Sequence, residues 1–130
     1  MLKVKHFMDA VEPDDGLRIW VEPLDLARDL RQWCRVHAVL PRLGPPRKLW
    51  DWFEQHTADG GAAGAYDYFR GIYHDHLADG PFRNVLQGLA ARARRSNLTL
   101  LHQGEDPAHN TATALYEFVT ELQSYCAPEP

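Results

Sequence analysis

Leu98-Thr99-Leu100-Leu101-His102-Gln103-Gly104-Glu105-Asp106-Pro107-Ala108-His109-Asn110 is the stretch on which the fold turns. Its first four residues form a short apolar run of strand length, read as a buried strand. Turn-forming residues follow. Beyond them Leu115, Phe118, Val119 and Leu122 recur at three- and four-residue steps, which marks one face of a helix. Asp106 suits an N-cap and Pro107 a first helical position, so the last helix is expected to start there. A buried strand feeding a helix through a short loop is the repeating unit of an α/β domain.

Working outward, Leu2 to Met8 sets Leu2, Val4, His6 and Met8 against Lys3, Lys5 and Phe7, the alternation of an opening strand with one polar face. Glu12-Pro13-Asp14-Asp15-Gly16 is a concentrated turn signal, and Leu17-Arg18-Ile19-Trp20-Val21 reads as a second strand. The two strands suit either a hairpin or separate places in a mixed sheet. From Leu24 the period lengthens: Leu24, Ala27, Leu30, Trp33, Cys34 and His37 predict an amphipathic helix, with Pro23 in its first turn. Pro41, Gly44 and Pro46 break it. A short helix is expected around Lys48–His56, where Trp50 and Trp52 face different ways. Thr57–Gly64 is of low complexity and reads as a mobile loop. Tyr66, Phe69, Tyr73 and Leu77 give the next helical stripe, and Phe82, Val85, Leu86, Leu89 and Ala93 another. The second ends in Arg92, Arg94 and Arg95, cations that complement a helix C-terminus or, alternatively, hold a phosphate. The reading is α/β: a single small domain over residues 1–126, a short central sheet covered by about five helices, and a disordered tail over 127–130.

Composition narrows the function. The chain has 130 residues, a net charge of −4 and 45% hydrophobic residues, ordinary for one globular domain. The acidic excess runs through both halves, which argues against a general nucleic-acid binder. No apolar run is long enough to span a bilayer, and the N-terminus lacks the apolar core of an export signal. Cys34 and Cys126 are far apart and outside any metal-binding spacing, so reduced thiols and a cytoplasmic location are expected. Cys34 falls on the apolar helical face, a core position rather than that of a nucleophile. His74-Asp75-His76 suggests a metal, but residues two apart on a helix point roughly 200° apart. No metal site and no cofactor is assigned, and no sequence motif names a reaction.

The loop from His102 to Asn110 is the best candidate site. A strand running into a helix places the intervening loop at the carboxyl edge of a sheet, where α/β proteins bind ligands. The first turn of a helix offers free N–H groups to an anion. His102, Gln103, Asp106, His109 and Asn110 flank that loop, and His102 and His109 could face one another. A histidine in a first helical turn is favoured as the neutral base, able to move a proton or bind a metal. The plainer alternative is that Asp106 caps the helix while His109 and Asn110 bond the loop.

Thr99-Leu100-Leu101, Asp106, His109-Asn110, Ala112 and Leu115 resemble the C-terminal motif of the YeaO-like family, bacterial domains of unknown function. Pro13-Asp14-Asp15-Gly16-Leu17-Arg18 resembles the family's turn before its second strand. Leu49, Trp52 and Phe53, then Phe69, Tyr73 and Leu77, follow its aromatic pattern in order. The resemblance runs over residues 3 to 122 and implies a small α/β domain without an assigned reaction. The chain also departs from the family. Where the family has Asp-Arg-Leu-Trp-Pro-Arg-Gly, Glu22-Pro23-Leu24-Asp25-Leu26-Ala27-Arg28 stands here, without the two arginines that would clamp an anion. Cys34–Pro46 is longer than the family's link to its Ala-Pro-Ser element, here Gly44-Pro45-Pro46. The chain thus resembles a divergent member in which Arg18 is the remaining cation for an anion. The expected partner is a small molecule or anion held by Arg18, His102, Gln103, Asp106, His109 and Asn110. The alternative is a non-catalytic interaction or assembly module with a decayed site, such as a homodimer.

Overall fold

The computed structural model describes residues 1–57 and 62–126, with the backbone alone for residues 62–63 and 123–126. Its centre is the apolar run quoted above. Leu98–His102 forms a strand whose five residues are all buried, flanked on both sides by parallel neighbours. In chain order the strands are β1 (Leu2–His6), β2 (Leu17–Trp20), β3 (Ala38–Val39) and β4 (Leu98–His102); in space the order is β1-β4-β2-β3. Leu2 to His6 pair with Leu98 to His102, and Leu17 to Trp20 pair with Leu98 to Leu101. The expected α/β class is therefore observed, with five helices around the sheet among the described residues.

The first two strands do not form a hairpin. Both run parallel to β4, which lies between them, because the apolar strand takes the slot with two covered faces. The expected turn brings the chain back to the start of the sheet through a 3-10 turn at Pro13–Asp15. Gly16 ends it with φ +62°, and a Cβ there would lie 1.8 Å from the carbonyl oxygen of Asn97.

The segment after β2 departs most from its periodicity. The helix expected from Leu24 to His37 shrinks to α1 (Arg28–Trp33), none of whose residues is buried. Trp33 is 83% exposed, Pro23 lies outside the helix, and Leu24 packs instead beside Trp20 and Leu101. Cys34 is buried as expected and its thiol is free. The edge of β2 explains the change. His37 N–H donates to Arg18 O and Leu40 N–H to Trp20 O, so residues that would have prolonged the helix cover an otherwise open strand.

The remaining helices follow their apolar stripes. α2 (Arg47–Thr57) buries Trp50 and Phe53, while Trp52 turns aside to stack on His56. α3 (Ala62–Asp79) buries Tyr66, Phe69, Tyr73 and Leu77. It is under way by Ala62, so the expected 57–64 loop is shorter than its composition suggested; residues 58–61 lie outside the described residues, as does the tail over 127–130. α4 (Arg83–Arg95) buries Leu86, Ala90 and Ala93 and carries Arg92, Arg94 and Arg95 in its last turn. α5 (Thr111–Cys126) packs on α3, α4 and the sheet. Helices α2 to α5 cover one sheet face over Leu2, Ile19, Leu98 and Leu100, and Trp20, Leu26 and Leu101 form a smaller cluster. No helix among the described residues is long and apolar enough to cross a membrane.

Candidate functional site

All four strands are parallel, so their carboxyl ends share one edge. A cavity of about 460 Å³ opens there. Glu22, two residues beyond β2, forms part of its wall. α2 contributes Phe53, Glu54 and Thr57, and the β4–α5 connection contributes Gln103 to Asp106 and His109 to Thr111. Gly44 lets the chain turn close beside the end of β2: a Cβ on it would lie 2.6 Å from Val21 O. The hydroxyl of buried Tyr73 donates to the neighbouring Leu43 carbonyl and ties α3 to the same turn.

The β4–α5 loop is built by side chains bonding backbone, because its residues favour caps and turns over helix interior. Asp106 Oδ1 accepts from Ala108 N–H at 2.9 Å. Asn110 Oδ1 accepts from Thr113 N–H at 2.8 Å, while its Nδ2 donates to Asp106 O at 2.9 Å and to Pro107 O at 3.2 Å. Asn110 is therefore the N-cap of α5, and the helix starts at Thr111 rather than at Pro107. His109 precedes the helix instead of sitting in its first turn. Its Nδ1 faces Asp106 Oδ2 at 2.7 Å, and its ring meets Tyr66 edge-on at 5.0 Å. That hydrogen bond holds the Asp106 carboxyl below its ordinary range. An ionised Asp106 accepts, so Nδ1 donates and Nε2 is the ring atom left for a ligand.

The structure separates the residues grouped by sequence. Gln103, Asp106, His109 and Asn110 line the main cavity. His102 does not face His109; it opens with His6, Asp9 and Glu105 on a second, shallower cleft. The parallel register pairs it with His6, whose ring lies 5.5 Å away. Burial, and then the neighbouring His6, push the His102 pKa down. Arg18 is also elsewhere. It is fully buried, donates to Asp15 Oδ2 at 2.8 Å and to the Cys34 and Phe7 carbonyls, and forms no part of the cavity wall. Its guanidinium is committed within the fold.

Glu22 is the group that sequence reasoning missed. It is 2% exposed, and Trp50 Nε1–H donates to its Oε2 at 3.4 Å, while Oε1 has no hydrogen-bond partner among the described residues. Burial pushes its pKa up to about 7; Glu54 adds to the rise, and Thr111, Trp50 and the Gln103 backbone oppose it. Burial raises Glu54 as well. The available signal was a carboxylate directly after a strand ending in the apolar Trp20-Val21 pair, which places it at the carboxyl edge.

Residues 3–119 match the family described as Domain of unknown function DUF488. The chain belongs to this family. No curated protein and no solved structure matches the chain. In this DUF488 domain the segment after β2 carries a buried carboxylate and no clamp. Pro23 and Ala27 are uncharged, and Arg28 lies with Arg31 on a separate groove of α1. The cavity thus joins a carboxyl oxygen unpartnered among the described residues, a carboxylate-oriented imidazole and Gln103. It can accept hydrogen bonds and exchange protons.

Proposed function

We propose that this domain binds a small molecule in the cavity at the carboxyl edge of the sheet. The observation that carries the reading is Glu22 Oε1, a buried acceptor without a partner among the described residues on the wall of an open cavity. A buried polar atom left unpaired costs about 1–3 kcal/mol, and a ligand donor would recover that loss. The volume of about 460 Å³ suits a small metabolite, within the usual 300–1,000 Å³ of ligand sites. Asp106 holds His109 as in a base–orienter pair, so the site also suits proton transfer to or from the bound molecule. A fragment screen followed by amide NMR tests the reading. Hits should shift Gly104, Asn110 and Thr111, and His109→Ala should weaken them at unchanged stability. Hits confined to other surfaces would sink it.

A second reading, an assembly module, draws on Trp33. This side chain is 83% exposed on a short helix whose Leu30 is also exposed. A second copy of the chain is the partner this reading names. It requires a concentration-dependent dimer in sedimentation that Trp33→Ser abolishes; a monomer at all concentrations rejects it.

A further inference from the structure

The cavity wall is unevenly charged. Glu22, Glu54, Glu105 and Asp106 contribute carboxyl groups, and neither Lys nor Arg is among the described lining residues. His109, the one basic side chain there, is engaged with Asp106. Elsewhere in the chain buried carboxylates meet cations: Asp15 is bound by Lys3, Lys5 and Arg18. Neither Glu22 nor Glu54 has an ion pair among the described residues, and Glu22 Oε1 has no hydrogen-bond partner either. Phe53 adds apolar surface to the same wall. An anion would meet repulsion here, whereas a cation would favour the ionised form of Glu22 and pair with it. No three His, Cys, Asp or Glu ligand atoms of the described cavity residues come within 4.8 Å of one another, so the wall is not assembled as a metal cage.

We propose that the ligand is an organic cation with N–H donors, an alkylammonium or guanidinium group seated on Glu22 with its carbon chain against Phe53. This rests on the small-molecule reading above and narrows it to one chemical class. The ammonium or guanidinium supplies the donor that Oε1 lacks, and Glu54 adds a second negative charge nearby.

The test titrates the full chain with n-butylamine and methylguanidine, with n-butanol and butyrate as the neutral and anionic counterparts, and with Mg²⁺ and Ca²⁺. The readout is the backbone amide shifts of Gly104, Asn110 and Thr111. The two cations should bind at least about tenfold more tightly than butanol or butyrate. Glu22→Gln should reduce that binding by at least about tenfold, with a second, smaller loss in Glu54→Gln, whose partly exposed position spares the fold. Tighter binding of butyrate, butanol or either metal ion at these amides overturns the cationic class and leaves the cavity reading standing. Cation binding unchanged in both variants also overturns it. No shift at these amides with any probe overturns both readings.

Discussion

Asp15 and Glu22 stand two residues before and two residues after the same strand, β2, and both are almost wholly buried, at 1% and 2% exposure. Their environments are opposite. Burial pushes Asp15 up, but hydrogen bonds from Lys3, Lys5, the Glu12 amide and Arg18 more than offset this and hold it well below the usual carboxylate range. Burial pushes Glu22 up as well, and with no cation beside it among the described residues the rise to about 7 remains. The first carboxylate is part of a closed network that fastens β1, β2 and the β1–β2 turn. The second faces a cavity. Equal burial therefore does not mean an equal role: a carboxylate whose bonds are complete is structural, and one whose bonds are incomplete is a ligand candidate.

The largest expected effect breaks the closed end. Arg18→Ala removes a fully buried cation from Asp15 and leaves the Cys34 carbonyl without its guanidinium donors. Loss of one partner of a buried pair costs about 3–5 kcal/mol. Urea denaturation near neutral pH should show a loss of that size, and a loss below about 1 kcal/mol would mean that Arg18 is not the centre of the network.

A smaller effect, of opposite sign, is expected at the open end. The folded pKa of Glu22, about 7, is above its ordinary value of 4.5, so between these values the folded state binds more protons than the unfolded state. Its contribution to stability is intact below about pH 4.5 and is lost as pH rises through about 7. Glu54 from α2 works in the same direction, while Thr111 from α5 and Trp50 from α2 moderate it. Glu22→Gln cannot ionise. Relative to the native chain it should gain on the order of 2–3 kcal/mol in urea denaturation between about pH 4 and about pH 8. A difference that stays flat with pH would remove Glu22 from the account.

The smallest effect sharpens the boundary of the site. Asn110→Ala deletes the cap of α5, and loss of a cap costs about 1 kcal/mol. The same change frees the Asp106 and Pro107 carbonyls that Nδ2 now holds. Hydrogen exchange should therefore rise at Thr113 while β4 stays protected; faster exchange across β4 would show that the loop and the strand open together.

Particular residues show how much was legible. Leu98–Leu101 announced a buried strand, and it lies inside the sheet with a neighbour on each side. Tyr66, Phe69, Tyr73 and Leu77 announced a helix, and all four are buried. The Leu24–His37 stripe misled because its spacing suits a helix, while the need to cover the edge of β2 made a strand of Ala38–Val39. The loop after β4, read as the candidate site, lines the main cavity, while His102 and Arg18 lie outside that wall. A strand alternates its side chains between two faces, so the last strand residue turned to the cleft beside β1.

The local code of this chain determined its class, its central strand, three of its long helices and the edge of the sheet where a site would lie, because periodicity and turn chemistry act over a few residues. Tertiary structure decided which charges found partners. Asp15 gained three cations from β1 and β2, and among the described residues Glu22 gained none. That distinction depends on strand order and on what packs across the sheet, and no spacing along the sequence records it.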